Sequence, residues 1–194
     1  GAISGIYLQN ITKVFREVDL VGVCDLIPER AQKGAGYVEE QIKEGAAVRQ
    51  PKIYKDMYEA FNDPEVEVIL NLTRPHEHYE VTKQGLLHGK HVYSEKPLAV
   101  DMDEAKELVA LAEEKGLLFL VTYTYMGHVT AKHIRRYIAE GKLGKIRTVM
   151  AEYPQGWLAY EGEWGGKQGE WRCDPKQSGG VNCLGDLGTH VENA

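Results

Sequence analysis

The chain has only three cysteines, Cys24, Cys173 and Cys183, and none stand in Cys-x-x-Cys spacing. Any pairing leaves one thiol over, so a disulfide framework is not expected as a source of stability, and a reducing compartment, the cytoplasm, is expected. Long apolar runs are missing too: the longest clear one, residues 117–121, is far below the ~20 residues a membrane-spanning helix needs. Basic charge is scarce. The 23 Lys and Arg face 29 Asp and Glu, giving a net charge of -6 without any cationic run. Nucleic acid and anionic membrane both reward clustered Lys and Arg, so neither is an expected partner. There is no internal repeat and no low-complexity tract. What remains is the composition of an ordinary packed protein, 43% apolar over 194 residues, enough for one large or two small domains. The sequence starts at a glycine that looks internal, and a leader before it is left open.

Apolar patterning alternates between strand and helix up to about Gly141. Residues 1–17 read as a helix with Ile3, Ile6, Tyr7, Ile11 and Val14 on one side, followed by a strand over 18–24. Pro28 opens a second helix running towards Gly45. A short strand near Ile53, a short helix over 56–61 and a strand over 66–72 follow. Pro75 starts a helix that ends at Gly89, and a strand over 91–94 leads into Glu95-Lys96-Pro97. Asp101 and Glu104 form an Asp-x-x-Glu capping box, and Lys115-Gly116 ends that helix. A strand over 117–122 and a helix over 127–141 complete the series. Strands separated by such helices imply a doubly wound parallel sheet with right-handed crossovers. Residues 145–153 read as one more strand, followed by some 25 residues rich in Gly, Trp and Gln without periodicity, long enough to suggest a functional loop. A boundary is expected between Gly141 and Lys145, giving domains 1–142 and 143–194.

Lys96 is the most informative residue. An ammonium fixed at the carboxyl end of a strand stands where open α/β sheets bind ligands, although Glu-Lys-Pro is also a common turn. A second constellation lies far downstream, in Gly179-Gly180-Val181-Asn182-Cys183-Leu184-Gly185-Asp186-Leu187-Gly188-Thr189-His190. Asp186 and His190 are four apart, so on a helix they share a face and reach one substrate. The plain alternative, an exposed ion pair, is opposed by glycines at 179, 180, 185 and 188, which a surface helix tolerates poorly. At the start, Gly1-Ala2-Ile3-Ser4 looks like the tail of a dinucleotide fingerprint, with helix amides for the pyrophosphate. Asp25, at the end of the next strand, then suits the ribose hydroxyls and disfavours a 2'-phosphate, so NAD is preferred over NADP. Arg30 softens that preference, and an N-cap role for Asp25 stays open. His76 and His78 diverge in a first helical turn, and no metal is expected. His88, His91 and His133 read as surface or strand-end residues.

Taken together, Gly1-Ala2-Ile3-Ser4, Val23-Cys24-Asp25, Asn71-Leu72-Thr73-Arg74-Pro75, Ser94-Glu95-Lys96-Pro97 and Gly185-Asp186-Leu187-Gly188-Thr189-His190 resemble the Gfo/Idh/MocA oxidoreductases. The resemblance implies a Rossmann-type fold that binds NAD, followed by the beginning of a second α+β domain with an open sheet. It also implies that Lys96 touches both the nicotinamide ribose and the reacting hydroxyl, that Lys96-Pro97 is cis, and that Asn71, Thr73, Pro75, His78 and Glu95 line the cofactor. Asp186 and His190 match the family's catalytic Asp-x-x-x-His. Tyr153-Pro154-Gln155-Gly156-Trp157 and the stretch around Lys167-Gln168 and Trp171-Arg172 are similar to sugar-oxidising members such as levoglucosan dehydrogenases. Tyr125, Gln155, Trp171 and Arg172 are therefore candidate substrate contacts, while Trp157, Trp164 and Trp171 also read as packing under a loop. Tyr123-Thr124 departs from the His-Asn that many members carry. The family's first, central strand has no counterpart here, and its large carboxy-terminal sheet is represented only by residues 145–153. The 194 residues are thus read as part of a longer protein, and alone they are expected to bind cofactor poorly.

The expected chemistry is oxidation of a secondary hydroxyl of a sugar, anhydrosugar or cyclitol to a ketone by hydride transfer to NAD. His190 suits the general base. Lys96 would stabilise the alkoxide and Asp186 orient the hydroxyl or the imidazole. An NAD-dependent glycoside hydrolase and a non-catalytic NAD-binding regulator are the alternatives, and a homo-oligomer is expected for the full-length protein.

Overall fold

A computed structural model of the chain describes residues 3–46, 48–156, 158–178 and 183–193. Gly1, Ala2, Trp157 and residues 179–182, which carried sequence expectations, lie outside them, as do the side chains of Lys167 and Gln168.

Helix α1 spans Ser4–Lys13. It is shorter than the expected 1–17 because Phe15 and Val18 beyond it are half exposed, with no packing to hold another turn. Strand β1 (Gly22–Cys24) leads to α2 (Pro28–Lys43), with Pro28 at the first helical position and Lys43 in the last turn, as proline geometry and the helix dipole favour. Strand β2 (Lys52–Tyr54) is followed by α3 (Met57–Asn62), whose cap Asp56 accepts from the backbone N–H groups of Tyr58 and Glu59. Strand β3 (Val68–Asn71) runs into a 3-10 turn at Pro75–Glu77 and helix α4 (His78–Leu87). Strand β4 (His91–Ser94) matches the expected bounds. Helix α5 (Met102–Lys115) is capped by Asp101 and ends at Gly116, which takes the left-handed conformation with φ 64°. Only half of the expected capping box forms: Asp101 accepts from Asp103 and Glu104, while Glu104 Oε2 is buried without a partner among the described residues. Strand β5 (Phe119–Val121) closes the series.

All pairings are parallel, in two pieces: β1 beside β2, and β3-β4-β5. The doubly wound parallel reading holds. The strands are shorter than the apolar runs that announced them, because ladder partners rather than apolar content decide where a strand stops. Leu86, Val92, Leu108 and Ala112 form one core between α4, α5 and the β3-β4-β5 sheet. Tyr54, Ala60 and Val66 form a second, and Ile69 packs against both.

Gly22 marks a close approach in the smaller piece. A Cβ there would lie 2.2 Å from Cε2 of Tyr54, and the ring is held because its hydroxyl donates to Asp63 Oδ2 at 2.7 Å. A side chain at that point must displace the ring or break this bond. Gly22→Ala is expected to lower the urea midpoint with an unchanged slope, by about 1–3 kcal/mol of stability; a midpoint equal to wild type would contradict the packing.

Beyond β5, a 3-10 turn at Thr124–Gly127 precedes α6 (Val129–Ala139). The strand expected over 145–153 is absent: no ladder partner reaches it among the described residues, and Val149 and Met150 are 79% and 86% exposed. The stretch expected to be irregular instead forms three short helices, α7 (Glu161–Trp164), α8 (Lys167–Cys173) and α9 (Pro175–Ser178). Gln177 of α9 docks on the Pro75–Glu77 turn, bonded through its side chain to Arg74 and through its carbonyl to His76 Nδ1. A π-helical turn at Leu184–Gly188 then runs into α10 (Thr189–Asn193). No helix among the described residues is long and apolar enough to cross a membrane.

Candidate active site

The site is built outside the carboxyl ends of β3 and β4. Ser94 closes β4 fully buried, and the Glu95 amide donates to Asn71 O at 2.9 Å, which fixes the start of the Glu95-Lys96-Pro97 loop. The Lys96-Pro97 bond is cis.

Asn71 and His78, expected to line the nicotinamide, are each 1% exposed and present no surface to a ligand. They brace the loops instead. Asn71 Nδ2 donates to His78 O and Thr82 Oγ1, and its Oδ1 accepts from the Thr73 hydroxyl at 2.6 Å. The His78 ring sits between two carbonyls, with Nδ1 2.6 Å from Pro97 O and Nε2 3.2 Å from Thr73 O. Burial holds its pKa below the ordinary value, although both carbonyls favour the charged form. Thr73 is exposed and Pro75 half-buried.

The depressed pKa sets a sign. The unfolded chain takes up a proton at His78 near pH ~6.5, and the folded chain only at lower pH. Stability is therefore complete above about pH 6.5 and is lost as pH falls towards the folded value. The urea midpoint should stay level from about pH 8 to 7 and drop below about 6.5, less steeply in His78→Asn; a level midpoint down to about pH 5 would contradict the assignment.

Lys96 reaches across to the distant Asp186. Its Nζ donates to Asp186 Oδ1 at 2.6 Å and to Asp186 O at 2.7 Å, which leaves one of its three N–H groups for another acceptor. Arg172 Nε donates to the other carboxylate oxygen at 2.7 Å. Lys96, Asp186 and Arg172 have side chains only 16%, 22% and 20% exposed, so these pairs are far less screened than surface ones. Burial pushes the Asp186 carboxyl up, but the bonds from Lys96 and Arg172 outweigh it and hold it below the usual carboxylate range. Asp186 is thus a fixed anion and a poor proton acceptor. Arg172, expected to contact substrate, is committed to Asp186, and its guanidinium lies 4.1 Å from the centre of the Trp171 ring.

His190 lies four residues on, one turn along the same segment. Burial lowers its pKa, the nearby Lys96 charge lowers it further, and Asp186 and Glu95 oppose; the imidazole is neutral at pH 7. Its Nδ1 is buried without a partner among the described residues, a position that costs about 1–3 kcal/mol unless a ligand fills it. A cleft of about 340 Å³ opens beside it, lined by Tyr125, Ala151, Glu152, Tyr153, His190 and Val191. The Tyr125 ring stands 4.5 Å from the imidazole, centre to centre, and the Tyr153 ring 6.4 Å. The two tyrosine hydroxyls bond each other. Tyr123 adds a third ring at 6.3 Å and anchors α10 through Thr189 Oγ1 at 2.9 Å. Tyr153 and Tyr123 were not among the expected site residues, though both flank positions that were. Gln155 is exposed to solvent.

The start of α1 is where the sequence placed the pyrophosphate. Ile3 caps the helix without a side-chain hydrogen bond, and its first turn, from Ser4, holds no acidic residue, an arrangement compatible with an anion at the helix start. Asp25 follows β1. Its Oδ1 accepts from Ile27 N at 2.9 Å and faces Arg30 Nη1 at 3.9 Å. The cap of α2 is Ile27 rather than Asp25, so the N-cap alternative falls. Among the described residues no cluster of metal-ligating side chains occurs.

Known proteins share this architecture. The uncharacterized oxidoreductase YfiI of Bacillus subtilis is 39% identical over 141 residues, covering 71% of this chain and 36% of that protein. The levoglucosan dehydrogenase of Pseudarthrobacter phenanthrenivorans is 30% identical over 136 residues, covering 70% and 34%. An inositol dehydrogenase homolog from Azotobacter vinelandii, solved with NAD+, superposes with a TM-score of 0.82 at 27% identity, covering 96% of this chain and 48% of that one. The matched stretches span little more than a third of the curated relatives' length. Residues 1–123 match the family described as oxidoreductases with an NAD-binding Rossmann fold, and residues 131–194 match the corresponding carboxy-terminal domain. The chain belongs to the Gfo/Idh/MocA oxidoreductase family.

Proposed function

We propose that the protein is an NAD-dependent dehydrogenase that oxidises a secondary hydroxyl of a sugar, anhydrosugar or cyclitol to a ketone. The observation that carries this reading is the meeting of the Lys96 ammonium, the Asp186 carboxylate and a neutral imidazole with an unpaired nitrogen, drawn from two remote segments, beside an aromatic cleft. The residues present fit the cofactor. The uncapped start of α1 supplies amides for a pyrophosphate, and Asp25 accepts from ribose hydroxyls and repels a 2'-phosphate. NAD+ held there would supply the hydride acceptor, C4 of its nicotinamide.

The chain's own residues do the rest. His190 takes the hydroxyl proton, because it is neutral and its nitrogen lacks a partner. Lys96 donates its remaining N–H to the oxygen as negative charge grows there. Asp186, gripped from both sides, fixes the direction of that ammonium and stays charged, so it orients rather than accepts the proton. The rings of Tyr125 and Tyr153 offer faces to the C–H surface of a sugar and hydroxyls to its oxygens.

The test is a screen of the full-length protein with NAD+ and NADP+ against cyclitols, hexoses and anhydrosugars, followed by NADH absorbance. NADH accumulation with at least one of them, faster with NAD+, is expected. Release of an aglycone from glycosides without NADH accumulation would replace this reading with transient hydride chemistry in a hydrolase.

A further inference from the structure

The lysine loop has a second tether besides Asp186. Tyr7 lies in the first turn of α1, and its hydroxyl donates to Glu95 Oε1 at 2.7 Å across 88 residues of sequence. The same hydroxyl lies 3.2 Å from Thr122 Oγ1, which in turn bonds Ser94 O at 3.0 Å. The other carboxylate oxygen of Glu95 accepts from the Lys96 amide at 3.3 Å. Burial first, and then the Glu95 charge, raise the Tyr7 pKa well above the ordinary phenol value against the opposing bond to Thr122, so the hydroxyl keeps the proton it donates.

Resting on the dehydrogenase reading above, we infer that Tyr7 is a positioning residue: it ties the start of the dinucleotide-binding helix to Glu95 and thereby sets the loop that carries Lys96. The chemistry of the two neighbours explains the need. Glu95 is an anion adjacent in sequence to the cation that must serve Asp186 and the substrate. Without Tyr7, Oε1 of this half-buried carboxylate loses its donor, only the longer bond from the Lys96 amide remains, and the anion turns towards the nearest ammonium. Tyr7 supplies that donor, and Lys96 stays on Asp186. Because Tyr7 belongs to the helix whose amides would hold the pyrophosphate, occupancy of the nucleotide end and placement of Lys96 become linked.

The experiment is a double-mutant cycle in the full-length protein with Tyr7→Phe, Glu95→Gln and the pair, reading NAD+ affinity by calorimetry and kcat with the best substrate of the panel. Tyr7→Phe keeps the ring and removes only the hydroxyl, with its bond to Glu95 and its contact to Thr122. It should weaken NAD+ binding several-fold and lower kcat roughly tenfold, the size of one hydrogen bond to a charged group. In the Glu95→Gln background it should add less than about twofold, because the two residues act as one unit. Unchanged affinity and kcat in Tyr7→Phe would overturn the inference, as would effects of the two substitutions that multiply. If wild type oxidises no compound of the panel, the dehydrogenase reading fails, and the NAD+ affinities of the same four proteins still decide whether Tyr7 acts through Glu95.

Discussion

Lys96→Met in the full-length protein is expected to lower kcat by about two to three orders of magnitude, the cost of removing a charge aimed at a developing oxyanion. Methionine keeps most of the length and apolar stem of lysine. Asp186 does not become an unpaired buried charge, because Arg172 still holds its other oxygen at 2.7 Å. The fold should therefore survive, and the loss should fall on turnover rather than on stability. A second consequence follows from the charges around His190. Lys96 is one of the groups that lower its pKa, so the acidic limb of the pH–rate profile should move to higher pH in Lys96→Met. Turnover within about threefold of wild type would show that the ammonium does not face the reacting oxygen.

His190→Ala should cost about two to four orders of magnitude in kcat, the range for a positioned general base. The pH dependence distinguishes a base from a wall of the cleft. In wild type the rate should be level around pH 7 and fall in acid, because the imidazole must be neutral and its pKa is held below the ordinary ~6.5 by burial and by Lys96. In His190→Ala the residual rate should lose that limb and rise with hydroxide or with added imidazole. Asp186 does not substitute, since two cations hold its carboxyl in the ionised form. A variant that keeps both the rate and the acidic limb would remove His190 from the mechanism.

Much of this site was legible in the residues. Lys96 at the end of a strand and the Asp186, His190 spacing each describe local geometry, and local geometry follows from short-range sequence. Their meeting was legible only as an expectation, because no local rule carries a lysine across 90 residues to a carboxylate. The partners were hidden for the same reason. Arg172 looked like a group for substrate, yet the fold places Asp186 beside it first. Asn71 and His78 sit in the right loop but beneath its surface, since a buried amide and imidazole are what satisfy the carbonyls there. Tyr7 reads as one more apolar position on an amphipathic helix until its hydroxyl is seen on Glu95. Residues 145–153 show the limit from the other side: their pattern is that of a strand, and a pattern without a ladder partner does not make one.

The central claim is hydride transfer across the space between Lys96, Asp186 and His190, and isotopic transfer reads it most directly. The full-length protein is incubated with NAD+ and the best substrate of the panel, deuterated at its ring carbons, and the nucleotide is analysed by mass and NMR. The account predicts NADH carrying one deuterium at C4 of the nicotinamide, formed more slowly in Lys96→Met and His190→Ala in proportion to their lost turnover. Product formed with no deuterium on the nucleotide, or deuterated NADH formed equally well by both variants, would contradict it.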